Sequence, residues 1–143
     1  MPRLLNGSMP DRDVNKFLRA ADQRLTSADL LYDHDMYLDC MYLAGYAPEC
    51  ALKALILARI PQKARRQYVK DHFRGRLAHN LEHLKDVLQK CGVPMPPAES
   101  KFLRRIASWS TDLRYEVGRK KPREAREFLD AAKALRDWAK RSL

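Results

Sequence analysis

What this chain lacks narrows it first. Its three cysteines, Cys40, Cys50 and Cys91, are an odd number with no CxxC pair. That excludes a disulfide framework and predicts free thiols among apolar neighbours in a reducing compartment. No apolar run approaches the ~20 residues of a membrane span, and the N-terminus has no signal-peptide core. The expectation is a cytoplasmic protein without a membrane segment. Strand-like alternation, internal repeats and low-complexity tracts are missing too. What is present is 143 residues with 45% hydrophobic content, enough for one domain that buries its own core without disulfides or metals. Residues 1–10, with "MPRLLNGS", match no packed element. They read as a flexible tail, native or a cloning remnant before an original start at Met9, leaving 11–143 as a single helical domain.

The dominant period is helical. Val14, Phe17, Leu18, Ala21, Leu25, Ala28 and Tyr32 mark one amphipathic face. A second helix is predicted from about Tyr37 to Ile60, closed by Pro61 and kinked at Pro48, which lacks an N–H and crowds the carbonyl of Ala44. The stretch "PQKARRQYVKDHFRGR" is long for a loop and has room for a short helix. Leu77, Leu81, Leu84, Leu88 and Cys91 predict a third helix, stopped by Gly92. After the rigid linker "VPMPP", Phe102, Ile106, Trp109, Leu113 and Val117 predict a fourth, stopped by Gly118. Pro122 opens a fifth, with Ala125, Phe128, Leu129, Ala132, Leu135 and Ala139 on one face. Short links between amphipathic helices imply an all-α antiparallel bundle.

The formal net charge is +10, and it is concentrated. Arg59 to Arg76 holds seven basic residues (Arg59, Lys63, Arg65, Arg66, Lys70, Arg74, Arg76) against Asp71 alone. Arg119 to Arg126 holds five (Arg119, Lys120, Lys121, Arg123, Arg126) against Glu124 alone. These two segments carry the whole excess. Charge concentrated at two connections suits nucleic acid; a solubilising surface is the competing reading. Tyr68, His72 and Phe73 lie within the first segment. Either the rings stack on bases or they tether the connection to the bundle.

One stretch combines burial with charge. In "YLAGYAPECALKALI", Tyr42, Tyr46, Glu49 and Lys53 fall on one helical face, beside the apolar Leu43, Ala47, Cys50, Ala54 and Leu57. This polar-aromatic stripe faces solvent or a dimer partner, or else it lines a ligand groove. His79 and His83 are four apart, but no flanking Cys, Asp or Glu completes a metal site. Asn80 reads as the N-cap of the third helix.

Gly45, Tyr46, Ala47, Glu49 and Lys53, followed by His79-Asn80-Leu81 to Leu84 and "LRY" after a Trp-containing helix, resemble the HEPN domain family (higher eukaryotes and prokaryotes nucleotide-binding). The resemblance runs from about Phe17 to Trp138. It implies an up-and-down four-helix bundle with an additional helix, often dimeric. It also implies one of two roles: a metal-independent endoribonuclease, often a prokaryotic toxin, or a module that binds nucleotide or RNA or partners a minimal nucleotidyltransferase. The nuclease signature is an Arg with a His about four to six residues later. Arg114 matches the Arg, but Gly118, Arg119 and Lys120 stand where the His belongs, and all four histidines precede Arg114. The general acid/base is missing at its expected place.

The expected site is therefore a cleft of Tyr46, Glu49, Lys53, Asp112, Arg114 and Tyr115, with His79 as a binding or structural residue. Its basic rims are Lys63, Arg65, Arg66, Lys70, Arg74 and Arg76, and Arg119, Lys120, Lys121 and Arg123. Arg114 contacts phosphate in this reading, or pairs with Asp112 or Glu49. The reading is a non-catalytic module that dimerises through helix faces and binds nucleotide, RNA or a minimal nucleotidyltransferase partner, as in a toxin–antitoxin-like pair, with no cofactor or metal. Two alternatives stand beside it. One is a ribonuclease that uses Arg114 with Tyr115 or a distant histidine. The other is a purely structural or inhibitory homodimeric partner.

Overall fold

A computed structural model of the protein describes residues 12–110, 113 and 116–143, the side chains of 108–110 aside. The expectations for residues 1–10, Asp112, Arg114, Tyr115 and the Trp109 side chain lie outside the described residues. Among those described, the regular structure is helical throughout. The helices are α1 (Arg12–Asp33), α2 (Tyr37–Ala44), α3 (Tyr46–Ala58), α4 (Arg65–His72), α5 (Leu81–Lys90), α6 (Pro97–Ser110) and α7 (Pro122–Arg141). Two 3₁₀ turns, Gln62–Ala64 and Arg76–His79, precede α4 and α5.

α1 buries Val14, Leu18, Ala21, Leu25 and Ala28, spaced four and three apart, as an apolar stripe on a helix must be. α7 buries Ala125, Phe128, Leu129, Ala132, Leu135, Trp138 and Ala139 by the same rule. α3 is apolar nearly all round because it runs through the centre: α1, α5 and α7 all pack on it. At one edge, Val14, Leu18, Ala54 and Leu57 form a smaller cluster, with Phe17, Tyr68, Val69 and Phe73 packed against it. Ion pairs clip the first helix to the last. Lys133 reaches Asp29 at 2.7 Å, and Arg136 and Lys140 reach Asp22 at 3.2 and 2.9 Å.

The second expected helix is divided. α2 ends at Ala44 and α3 begins at Tyr46, with Gly45 between them still in right-handed helical conformation (φ −64°, ψ −23°). Pro48 has no N–H for the Ala44 carbonyl, which accounts for the break falling there. Tyr37–Ala58 as a whole is nevertheless long and apolar enough to cross a bilayer by length and composition, which corrects the sequence reading on apolar runs. In the bundle, 67% of its apolar window is buried, as befits a central core helix.

Two boundaries also differ. The third expected helix starts at Leu81, not Leu77: Leu77 sits in the 3₁₀ turn and is 58% exposed. Asn80 caps α5 as its residue type predicts, accepting from the His83 N–H at 3.0 Å. The fourth ends at Ser110. Leu113 is still buried, but Val117, expected on the same face, is 89% exposed. The apolar spacing continued past the helix that it suggested.

Candidate functional site

The polar stripe of the central helices opens into a cavity of about 640 Å³. Tyr42, Gly45, Tyr46 and Glu49 form one wall. Arg76, His79 and Asn80, with Leu81 and Glu82 at the start of α5, form another, and Ala107 and Leu113 complete the lining. Tyr42 and Tyr46 share a hydrogen bond between hydroxyls at 2.8 Å, and their rings meet edge to face at 5.4 Å. Aromatic rings and polar tips therefore line the same wall.

Glu49 organises the charged part. Its Oε2 accepts from Lys53 Nζ at 2.9 Å and from His79 Nδ1 at 2.9 Å. The carboxylate beside an ammonium has only acceptors to offer, so Nδ1 must carry the hydrogen. The Glu49 and Lys53 side chains are 12% and 6% exposed, whereas His79 is 61% exposed. Lys53 thus lies behind Glu49 rather than on the cavity surface, with its ammonium 5.3 Å from the Phe73 ring centroid. A lysine so enclosed is tolerable because it has both a carboxylate and a ring face.

The opposing wall depends on one backbone conformation. Gly75, at φ +82° and ψ −176°, occupies a region essentially closed to other residues and launches the Arg76–His79 turn. In a 3₁₀ turn, side chains three apart eclipse one another. Arg76 and His79 are so related, and both line the cavity. Asn80, as N-cap, leaves His79 outside α5, so His79 and His83 do not share a helical face. Among the described residues, no group of His, Cys, Asp or Glu is arranged to hold a metal ion.

The basic residues divide by what they touch. Arg65 donates to the carbonyls of Ile60 and Ala58 at 2.9 and 3.4 Å, capping the end of α3. Arg66 faces Asp13 at 3.8 Å. Lys63, Lys70 and Arg74 are exposed. Tyr68 and Phe73 meet edge to face at 5.5 Å, and Phe73 meets Phe17 at 5.6 Å. Those rings tether the connection to the bundle. Of the segment's aromatic side chains, only His72 is exposed, its ring tilted by 34° against Tyr68 at 4.3 Å.

The second basic segment lines a different cavity, of about 710 Å³. There Arg119, Lys120 and Lys121 stand across from Asp35, Tyr37 and Asp39. Lys120 pairs with Glu116 at 2.6 Å and Arg123 with Glu127 at 3.6 Å.

Of the expected site residues, the structure brings together Tyr46, Glu49, His79 and Arg76 around one cavity, with Lys53 behind them. Sequence reasoning did not place Arg76 in the cavity wall or link His79 to Glu49. The Gly75–Asn80 spacing, a turn residue followed by a helix cap, was the available signal.

No curated protein and no solved structure matches the chain. The family model of the HEPN domain matches residues 14–142. That span takes in the described helices apart from the first two residues of α1, and both walls of the cavity, and the chain belongs to the HEPN domain family.

Proposed function

We propose that the chain is a HEPN-type binding module that takes a nucleotide or RNA in the Tyr42–His79 cavity. The observation that carries this reading is the pairing of walls: tyrosines on α2 and α3, edge to face with each other, share one cavity with an arginine and a histidine of the 3₁₀ turn. Rings that stack on a base beside a guanidinium that holds phosphate are the two components of nucleotide recognition. Arg76 also ends the first basic segment, in which Lys70 and Arg74 are exposed. Family membership supports a nucleotide- or RNA-related role. The absence of a histidine four to six residues after Arg114 favours binding over turnover.

The test is fluorescence anisotropy with a labelled ten-nucleotide single-stranded RNA, and calorimetry with ATP. The expected result is salt-sensitive binding that Arg76→Ala weakens about tenfold, the loss of one charge-assisted contact. Wild-type protein that binds neither probe, or Arg76→Ala that binds as wild type does, would remove the reading.

A further inference from the structure

The Glu49–His79 contact fixes more than a position. A neutral imidazole with its hydrogen on Nδ1 keeps a bare lone pair on Nε2, whereas an imidazolium keeps none. Glu49 holds that hydrogen at 2.9 Å, and Lys53, donating to the same oxygen, keeps Glu49 in place. The second ring nitrogen points away from Glu49, on a side chain that lines the cavity and is 61% exposed. With His79 neutral, the cavity edge presents one hydrogen-bond acceptor beside one guanidinium, since Arg76 and His79 lie three apart on the 3₁₀ turn.

A guanidinium offers only donors and suits phosphate; a lone pair on the neighbouring ring needs a donor from the ligand. In a nucleotide chain, the group next to the phosphate that can donate is the ribose 2′-hydroxyl, and it is the group that deoxyribose lacks. Resting on the binding reading above, we infer that Glu49 is a positioning residue that sets the tautomer of His79, and that His79 Nε2 selects ribose over deoxyribose. Arg76 holds the adjacent phosphate, and the tyrosine wall takes the base. The exposed cations of α4 add affinity but no sugar preference, because phosphate is common to both nucleic acids.

The experiment compares two labelled ten-nucleotide single strands of uracil bases, one with ribose and one with deoxyribose, so that only the hydroxyl differs. Wild type is expected to bind the ribose strand about tenfold more tightly, the worth of one well-placed hydrogen bond. His79→Ala should reduce the preference to less than about twofold. His79→Gln, which retains an acceptor, should restore most of it. Both substitutions are at an exposed side chain and leave the core intact. Glu49→Gln should lose the preference and, in ¹⁵N spectra of the imidazole, redistribute the hydrogen from Nδ1 towards Nε2. Equal binding of the two strands by wild type would overturn the inference and leave the binding reading standing. So would an unchanged preference in Glu49→Gln or His79→Ala. Binding of neither strand would overturn both.

Discussion

Lys53 holds its ammonium 5.3 Å from the centre of the Phe73 ring while donating to Glu49 at 2.9 Å. One lysine thus joins the acidic member of the site to the aromatic anchor of the first basic connection. Phe73→Ala is expected to lose the ring contacts with Phe17 and Tyr68 along with the cation–π contact. The cost should be about 2 kcal/mol, below that of a fully buried ring because Phe73 is only partly enclosed. Limited proteolysis should then cut first between Arg59 and Arg76. A cleavage pattern unchanged from wild type would show that the ring does not tether the connection.

The Glu49–Lys53 pair should behave as an enclosed pair, not a surface one. Lys53→Met is expected to destabilise by about 3 kcal/mol, because Glu49 keeps its charge and loses its enclosed partner. The double variant Glu49→Leu/Lys53→Met should recover more than half of that loss, because neither charge is then stranded. Urea midpoints of the three proteins measure this. Additive losses would contradict it.

Gly75 is expected to be the most sensitive glycine for the site. A Cβ at φ +82° meets no neighbouring atom, so the penalty of Gly75→Ala is one of backbone strain, about 1–3 kcal/mol. If the turn relaxes instead, Arg76 and His79 move together and RNA affinity falls while stability changes little. Either outcome, read from melting and anisotropy on the same sample, identifies which of the two is softer. A variant unchanged in both would disprove the role given to this residue.

The arginines of the first segment should separate cleanly. Arg65→Ala removes hydrogen bonds to the α3 terminus and is expected to lower stability by about 1–2 kcal/mol with little effect on RNA affinity. Lys70→Ala and Arg74→Ala should leave stability within about 0.5 kcal/mol. Each should also reduce the salt slope of RNA binding by about one. Salt titrations of the three variants provide the check.

Cys40 gives the protein an alkaline limit. Burial pushes its thiol up from 9.0 to about 11, with Asp29 adding to the rise and Arg126 and Lys133 opposing it. An acid that ionises later in the folded chain than in the unfolded one adds its full stability below pH 9. It loses that stability as pH rises from about 9 through about 11. Chemical denaturation of wild type should weaken over that window, and Cys40→Ala should show a flatter dependence. At pH 8 only about one Cys40 in a thousand is thiolate, so brief alkylation of the native protein should leave it unlabelled.

The helices were legible because burial writes itself into spacing. Val14, Leu18, Ala21, Leu25 and Ala28 could face only one way, and Asn80 could cap only one helix. Pairs distant in the chain were not legible. Glu49 and His79 are thirty residues apart, and nothing local reports the packing of α5 on α3 that brings them together. Val117 failed for the opposite reason. Its spacing agreed with the helix, but spacing does not record where a helix stops. Tyr68 and Phe73 lay among arginines that implied a nucleic-acid face, yet their rings turn to Phe17 and the core. Composition gives a segment's charge but not the direction of its side chains.

α7 supplies Phe128, Leu129, Leu135 and Trp138 to the core and packs on α1, α2, α3 and α6. On the ribosome, those four helices emerge before the surface that covers them. Synthesis from Ser110 to Arg141 takes roughly two to six seconds at 5–20 residues per second. For that interval the apolar Tyr37–Ala58 stretch lacks the cover that α7 gives it. The nascent chain then offers chaperones, or a translocation apparatus that scans for such stretches, a segment that the finished bundle keeps out of reach.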